Sequence, residues 1–241
     1  MAALAYDLHI HTCLSPCGDD DMTPPNVANM AALMGLSVIA VTDHNSCRNA
    51  GAVMAAAEQF RLPLTVIPGM EVTTSEEVHV VCLFPGLDRA MAFQELVYRR
   101  LGDRVNDPDI FGRQLLMDVD DRILGEEPRM LAGATDIGVY EVHRLVESYG
   151  GVAYPAHIDR DSFSLLSNLG LWDPALGFPL AEVSRRCPPD LFRVRGDLRG
   201  VPALAGSDAH YPDQIQDAHQ WMEVPARSTE AVLAWLRRGG M

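Results

Sequence analysis

Short apolar runs that end in polar clusters recur along this chain, and stretches with helical punctuation separate them. "LSVIAVTDHN" is continuously apolar and then polar, the pattern of a strand buried on both faces. "ALAYDLHIH" is short and alternating, and "LTVIPGMEVT", "VHVVCLF", "GGVAYPAHI", "LAEVS" and "VPALAGSDAH" read as further strands. "TPPNVANMAALMG" has a Thr start, early prolines and a closing Gly35, so it predicts a helix, as does "AGAVMAAAEQF". The chain closes with the strand "WMEVPA" and the helix "STEAVLAWLRRGG". Strands alternating with helices predict an α/β fold with a parallel sheet. Seven or so such units could close into a barrel, and barrels place their chemistry at the C-terminal strand ends.

The stretch from Asp88 to Ala134 breaks this rhythm. It has one helical piece, "AMAFQELVYRRLG", followed by "NDPDIFGRQLLMDVDDRILGEEPRM", which is rich in charge and turn residues. It reads as an insertion at about 88–134 lying over the barrel mouth. No internal repeat or linker divides the chain, so residues 1–241 are expected to form one barrel domain.

Composition sets the surroundings. A 241-residue chain that is 48% hydrophobic can bury a sizeable core. No apolar run approaches the roughly 20 residues of a membrane span, and "MAALAYDLHIH" lacks a signal peptide's charged start and cleavage site. A cytoplasmic protein without a membrane partner is expected. Five cysteines, an odd number, do not suggest a disulfide framework. The formal charge of −14 predicts no binding of extended duplex nucleic acid, whose affinity comes from basic residues, while short or mononucleotide substrates remain compatible. All 19 basic residues are arginine, which excludes Schiff-base chemistry and a lysine phosphate loop. Any phosphate must be held by metal, arginine, histidine or backbone amides.

The polar residues at the strand ends are mostly metal-ligand types: His9, His11, Asp43, His44, Glu71, His79, His157, Asp208 and His210. On a strand, residues i and i+2 share a side, so His9 and His11 can converge on one ion, as can Asp208 and His210. Burying so many ionisable groups in one mouth is costly unless a cation joins them. Cys13 and Cys17 flank the first loop, but no second cysteine pair completes a tetrahedral site. His143 falls within a helix pattern, and His219 has no partner motif.

The ordered set "DLHIH", "TDHN", "GMEVTT", "VHVV", "PAH" and "GSDAH" resembles the PHP family, named for polymerase and histidinol phosphatase, and especially its stand-alone metal-dependent phosphoesterases. The resemblance implies a distorted (β/α)7 barrel with two to three divalent ions, zinc, iron or manganese, at the C-terminal ends of the strands. By that resemblance His9, His11, Glu71 and Asp208 hold a first ion. Glu71 bridges to a second ion shared with His79 and His157, and a third takes His44, His210 and a carboxylate from the opening loop. This chain departs from the family at that carboxylate, because Pro16 occupies its usual spacing. Anchoring on the following "TP" selects Asp19, with Asp20 and Asp21 as alternatives; the two left over suit a helix N-terminus.

The expected activity is hydrolysis of a phosphate ester of a small metabolite, nucleotide or short oligonucleotide. Glu71, Asp43 and Asp208 are the candidate catalytic residues, Asp43 either orienting a ligand or acting on the leaving group. Arg160, three residues after His157, is the first candidate for holding phosphate; Arg185 and Arg186 come next, and Arg48 and Arg113 are weaker. A histidinol-phosphate phosphatase and an idle metal-binding module are the alternative readings.

Overall fold

Val38 and Ala40 pack into one apolar cluster, and Ile39 and Val41, between and after them, into another. That is why "VIAV" is apolar throughout: both faces of its strand are covered. A computed structural model describes residues 1–215 and 217–240. The strands are β1 (Ala2–Ile10), β2 (Val38–Val41), β3 (Thr65–Thr73), β4 (His79–Leu83), β5 (Leu115–Met117), β6 (Ile123–Glu126), β7 (Val152–Pro155), β8 (Ala181–Ser184), β9 (Ala203–Gly206) and β10 (Trp221–Val224). Six of them form a curled half-barrel in the order β10-β1-β2-β3-β4-β7. Helices Pro24–Leu33, Ala50–Gln59, Leu87–Arg100 and Val139–Ser148 cover its convex face. Leu4, Tyr6, Leu8, Ile67, Val81 and Tyr154 line the concave face, where helix Thr229–Arg237 adds Val232, Leu233 and Trp235.

The sheet is mixed, unlike the parallel sheet expected. Strands β1, β2 and β3 run parallel, but β4 is antiparallel to both β3 and β7, and β10 is antiparallel to β1. The reason is visible in the chain: only residues 74–78 separate β3 from β4, and a parallel crossover needs a dozen or more. Reversal of β4 also decides where its first residue sits. His79 begins the strand, yet it lies opposite Thr73 at the C-terminal end of β3.

Strands β8 and β9 form a separate parallel pair. Single backbone hydrogen bonds tie it to the arc, with the Ile158 amide donating to the Glu182 carbonyl and the His11 amide to the Ala209 carbonyl. Continuous seven-stranded closure is therefore not what the strand pairing makes.

Alternation along the strands aims most of the polar residues. Ile67 and Glu71 of β3, like Val81 and His79 of β4 and like Glu182 of β8 and Leu180 just before that strand, differ by even numbers, so each polar residue shares the concave face with its apolar partner. Strand β1 needs a device. Leu4, Tyr6 and Leu8 are concave and Ala5 is convex, so strict alternation would turn His9 and His11 outward. A β-bulge between Asp7 and Ile10 inserts one residue against β2 and puts Ile10 on the convex side, so that both imidazoles face in.

Residues after Leu87 start conventionally: helix Leu87–Arg100 buries Ala90, Phe93 and Val97 in the convex cluster. The antiparallel β5–β6 pair follows, and the Leu115 amide donates to the Cys13 carbonyl beside the first loop. Among the described residues no helix is long and apolar enough to cross a membrane.

Candidate metal centre

Glu71 is completely buried, and five imidazoles surround its carboxylate. His9 Nε2, His79 Nδ1 and His157 Nε2 lie 3.3, 3.0 and 3.2 Å from Oε1; His11 Nε2 and His44 Nδ1 lie 3.5 and 3.0 Å from Oε2. Asp208 approaches from the other side, its Oδ1 3.2 Å from His9 Nε2 and 3.0 Å from His11 Nε2. Three groups of potential ligand atoms lie within 4.8 Å of one another: His9, His11, Glu71 and Asp208; His44, Glu71 and His79; and His11, His44 and His210. Eight of the residues expected from sequence thus meet in one place. His157 joins through Glu71 and reaches it with φ +28°, while Asp208 sits at φ +51°; strain of this kind gathers at functional sites.

The outer nitrogens show which face of each ring is left for a ligand. His9 Nδ1 donates to Glu182 Oε1 at 2.8 Å, and His210 Nδ1 to the Asp208 carbonyl at 2.8 Å. Ser15 Oγ donates to Asp43 Oδ1, so it accepts from His11 Nδ1, 2.8 Å away. The inner Nε2 atoms of His9 and His11 then carry lone pairs, and they are only 3.1 Å apart. Two facing lone pairs repel unless a cation lies between or beside them. Glu71 Oε2, Asp208 Oδ1, His44 Nδ1 and His157 Nδ1 are also buried without a hydrogen-bond partner. Mixed imidazole and carboxylate donors with unsatisfied lone pairs suit a transition-metal or zinc centre.

Electrostatics agree. Burial alone would raise the Glu71 carboxyl, but His79 and His9 hold it well below the usual carboxylate range. Asp208 is likewise depressed against its burial by His9 and His11. Burial and the neighbouring His210 push His11 well below the ordinary imidazole value. His9 is driven well above it, because Glu182 and Glu71 overcome burial. Two buried carboxylates demand positive charge, and the rings compete to supply it.

Asp43 lies beneath the mouth. Its oxygens accept from the Thr12 amide at 2.6 Å, the Thr12 hydroxyl at 2.7 Å and the Ser15 hydroxyl at 2.8 Å. Through Ser15 it orients His11. The aspartates of "SPCGDDD" fall outside the ligand groups found among the described residues. Asp19 Oδ1 accepts from the Asp21 amide at 2.8 Å, Asp20 pairs with Arg113 at 3.5 Å, and Asp21 is exposed. Cys17 faces the site instead, bordering a cavity of about 250 Å³ with His44, Glu71, His79 and His157. Withdrawal of the thiol into this cavity would raise it, although the residue as a whole is exposed, but His44 and His210 bring it down to about 6.

Arg160 Nη1 lies 2.5 Å from Asp208 Oδ2, and Arg185 is 3.4 Å from Asp7. Both line, with Arg186, a larger cavity of about 840 Å³ that opens from Asp208 and His210. Arg48 and Arg113 are engaged elsewhere, with Glu127 and Glu126. His143 pairs with Glu147 on its own helix, and His219 is exposed.

Sequence reasoning missed Glu182. It is buried, supports His9 and also accepts from the His157 amide at 3.3 Å. Gly206 faces it, and a Cβ there would come within 2.6 Å of its carboxyl carbon. The available signal was a carboxylate in the middle of the apolar strand "LAEVS". Glu182→Gln is expected to weaken zinc affinity about 10- to 100-fold, the usual loss for a residue supporting a metal-binding histidine, as measured by competition with a chromogenic chelator.

The PHP domain model matches residues 7–131, which include the first four ligand-bearing segments. The chain belongs to the PHP family. A PHP-associated model also matches residues 197–240, which hold Asp208 and His210. The 5′-3′ exoribonuclease Rnm of Salmonella typhimurium is 37% identical over 87 residues, covering 34% of this chain and 28% of the ribonuclease. Endonuclease Q of Pyrococcus furiosus superposes with a TM-score of 0.72 at 18% identity, over 98% of this chain and 56% of that one. An inferred metal-dependent phosphoesterase from Bifidobacterium adolescentis gives 0.62 at 18% identity, over 100% and 98%. This PHP chain thus spans just over a quarter of the ribonuclease and little more than half of endonuclease Q. By name, the first two of these cleave nucleic-acid strands and the third is a metal-dependent phosphoesterase.

One expectation is overturned here. Extended duplex nucleic acid was excluded on net charge, yet endonuclease Q, which has this fold, holds a 27-mer duplex with an abasic lesion at its active site. The formal charge of −14 sums the whole surface, whereas strand binding depends on cations beside the site. Arg160, Arg185 and Arg186 line one cavity beside the cluster, a local gathering of cations that the net charge does not display.

Proposed function

We propose that this PHP protein hydrolyses phosphate ester bonds in nucleotides or nucleic-acid strands at the centre built on Glu71. The carrying observation is that the buried ligand cluster opens at Asp208 and His210 into the arginine-lined cavity of about 840 Å³. That volume suits a nucleotide, and pockets of about 300 to 1,000 Å³ are usual for ligands. Two to three divalent ions would be held by His9, His11, Glu71 and Asp208, by Glu71, His79 and His157, and by His44 and His210. Such ions lower the pKa of water and neutralise phosphoryl oxygens. Arg160 is placed to hold a phosphoryl oxygen beside Asp208, and Arg185 and Arg186 to take the neighbouring part of the substrate. Asp43 and Glu182 keep His11 and His9 turned inward. The stretch 88–134, whose Ala132 borders the smaller cavity, is a candidate cover for the mouth. The arc and the β8–β9 pair together take the place of the seven-stranded barrel.

The test is hydrolysis of end-labelled RNA and DNA, single-stranded and duplex, beside nucleoside monophosphates, histidinol phosphate and an aryl phosphate, with manganese or zinc. Strand cleavage or nucleotide hydrolysis that disappears in Asp208→Asn is expected. Release from histidinol phosphate alone would move the substrate out of the nucleotide class. No hydrolysis of any compound would leave a metal-binding module without this activity.

A further inference from the structure

We propose that Cys17 supplies a thiolate ligand to the ion position of His44 and His210, in place of a carboxylate. This rests on the metal-centre reading above and adds one donor to it. The loop 12–22 is held by its own backbone. The Ser15 amide donates to the Thr12 carbonyl at 3.1 Å, Gly18 to Ser15 at 2.9 Å, and Asp19 to His210 at 2.9 Å. A Cβ at Gly18 would lie 2.4 Å from the Thr12 carbonyl oxygen, so the turn depends on that glycine. Cys17 stands just before it, and it lines the smaller cavity together with His44 and His210 and the larger one together with His210.

The imidazoles point to a ligand independently of the cysteine. His11, His44 and His210 bring one nitrogen each within 4.8 Å of the others, and the His11 and His210 rings stack at 4.0 Å. His44 is only 5% exposed, and its Nδ1, 3.0 Å from Glu71 Oε2, makes no well-aligned hydrogen bond. No oxygen of Asp19, Asp20 or Asp21 lines either cavity. A sulfur donor beside imidazole nitrogens makes a soft site, which selects zinc or ferrous iron over magnesium or manganese. The other cysteines lie elsewhere: Cys13 packs on Met117, Cys47 on Met91, Cys82 lies within β4, and Cys187 donates to the Pro188 carbonyl.

The experiment is cobalt(II) titration of the full chain and of Cys17→Ser, Cys17→Asp and Asp19→Asn, with bound metal counted by elemental analysis. Wild type and Asp19→Asn are expected to show a near-ultraviolet thiolate-to-cobalt charge-transfer band. Cys17→Ser should lose the band and one equivalent of cobalt, and Cys17→Asp should regain the equivalent without the band. Cys17 is exposed, so these variants should keep the wild-type circular dichroism. Cobalt bound by wild type with no sulfur band overturns the thiolate and leaves the metal centre standing. A band that survives in Cys17→Ser overturns it equally. Failure of wild type to bind cobalt removes the centre and the thiolate together.

Discussion

Glu71→Gln is expected to empty the centre of metal and to lower phosphate ester hydrolysis by about a thousandfold, the upper range for removing one group that stabilises developing charge. The side chain is wholly buried, and its two oxygens are approached by five imidazoles from four separate segments. A glutamine keeps the shape but turns one acceptor into a donor. That NH2 group cannot serve as a cation ligand, and the negative charge that balances the cations would be gone. Elemental analysis and turnover should fall together. Near-normal metal content in this variant would remove Glu71 from the bridging role.

Asp208→Asn should be nearly as costly, with a loss of about a hundredfold or more in turnover and reduced metal content. This substitution is unusually clean. Asp208 adopts φ +51°, a region that asparagine tolerates, so the backbone turn should survive. What changes is charge: the inner nitrogens of His9 and His11, 3.2 and 3.0 Å from Oδ1, and Arg160, 2.5 Å from Oδ2, lose their anionic partner. The measurement is turnover and bound metal on protein whose melting temperature matches wild type. Full activity in that protein would exclude Asp208 from the chemistry.

Much of the site was legible because metal chemistry restricts residue types and strands restrict direction. "HIH" and "GSDAH" announce convergent pairs, and "GMEVTT" places Glu71 at a strand end. Other parts depend on geometry that a sequence does not display. His79 begins its strand, and it reaches the mouth only because the short connection 74–78 reverses β4. Glu182 looked like one more strand residue, since nothing local shows that it sits under His9. Asp19 was chosen by spacing, whereas loop closure onto the His210 carbonyl brings Cys17 to the cavity. The exclusion of duplex nucleic acid failed because a formal sum over 241 residues says nothing about where three arginines gather.

The bulge in β1 makes the centre a matter of parity as well as of letters. Up to Leu8 the even-numbered residues of this strand face inward, and from His9 onward the odd-numbered ones do. A relative that kept every histidine and carboxylate but lacked one residue between Tyr6 and His9 would pass any search for the motif. With that interval even, strict alternation alone would turn "HIH" inward and no bulge would be needed, whereas the odd interval of this chain, paired without its bulge, would point "HIH" at the helices. The interval between the last inward apolar residue and the first histidine therefore belongs to the signature as much as the histidines do.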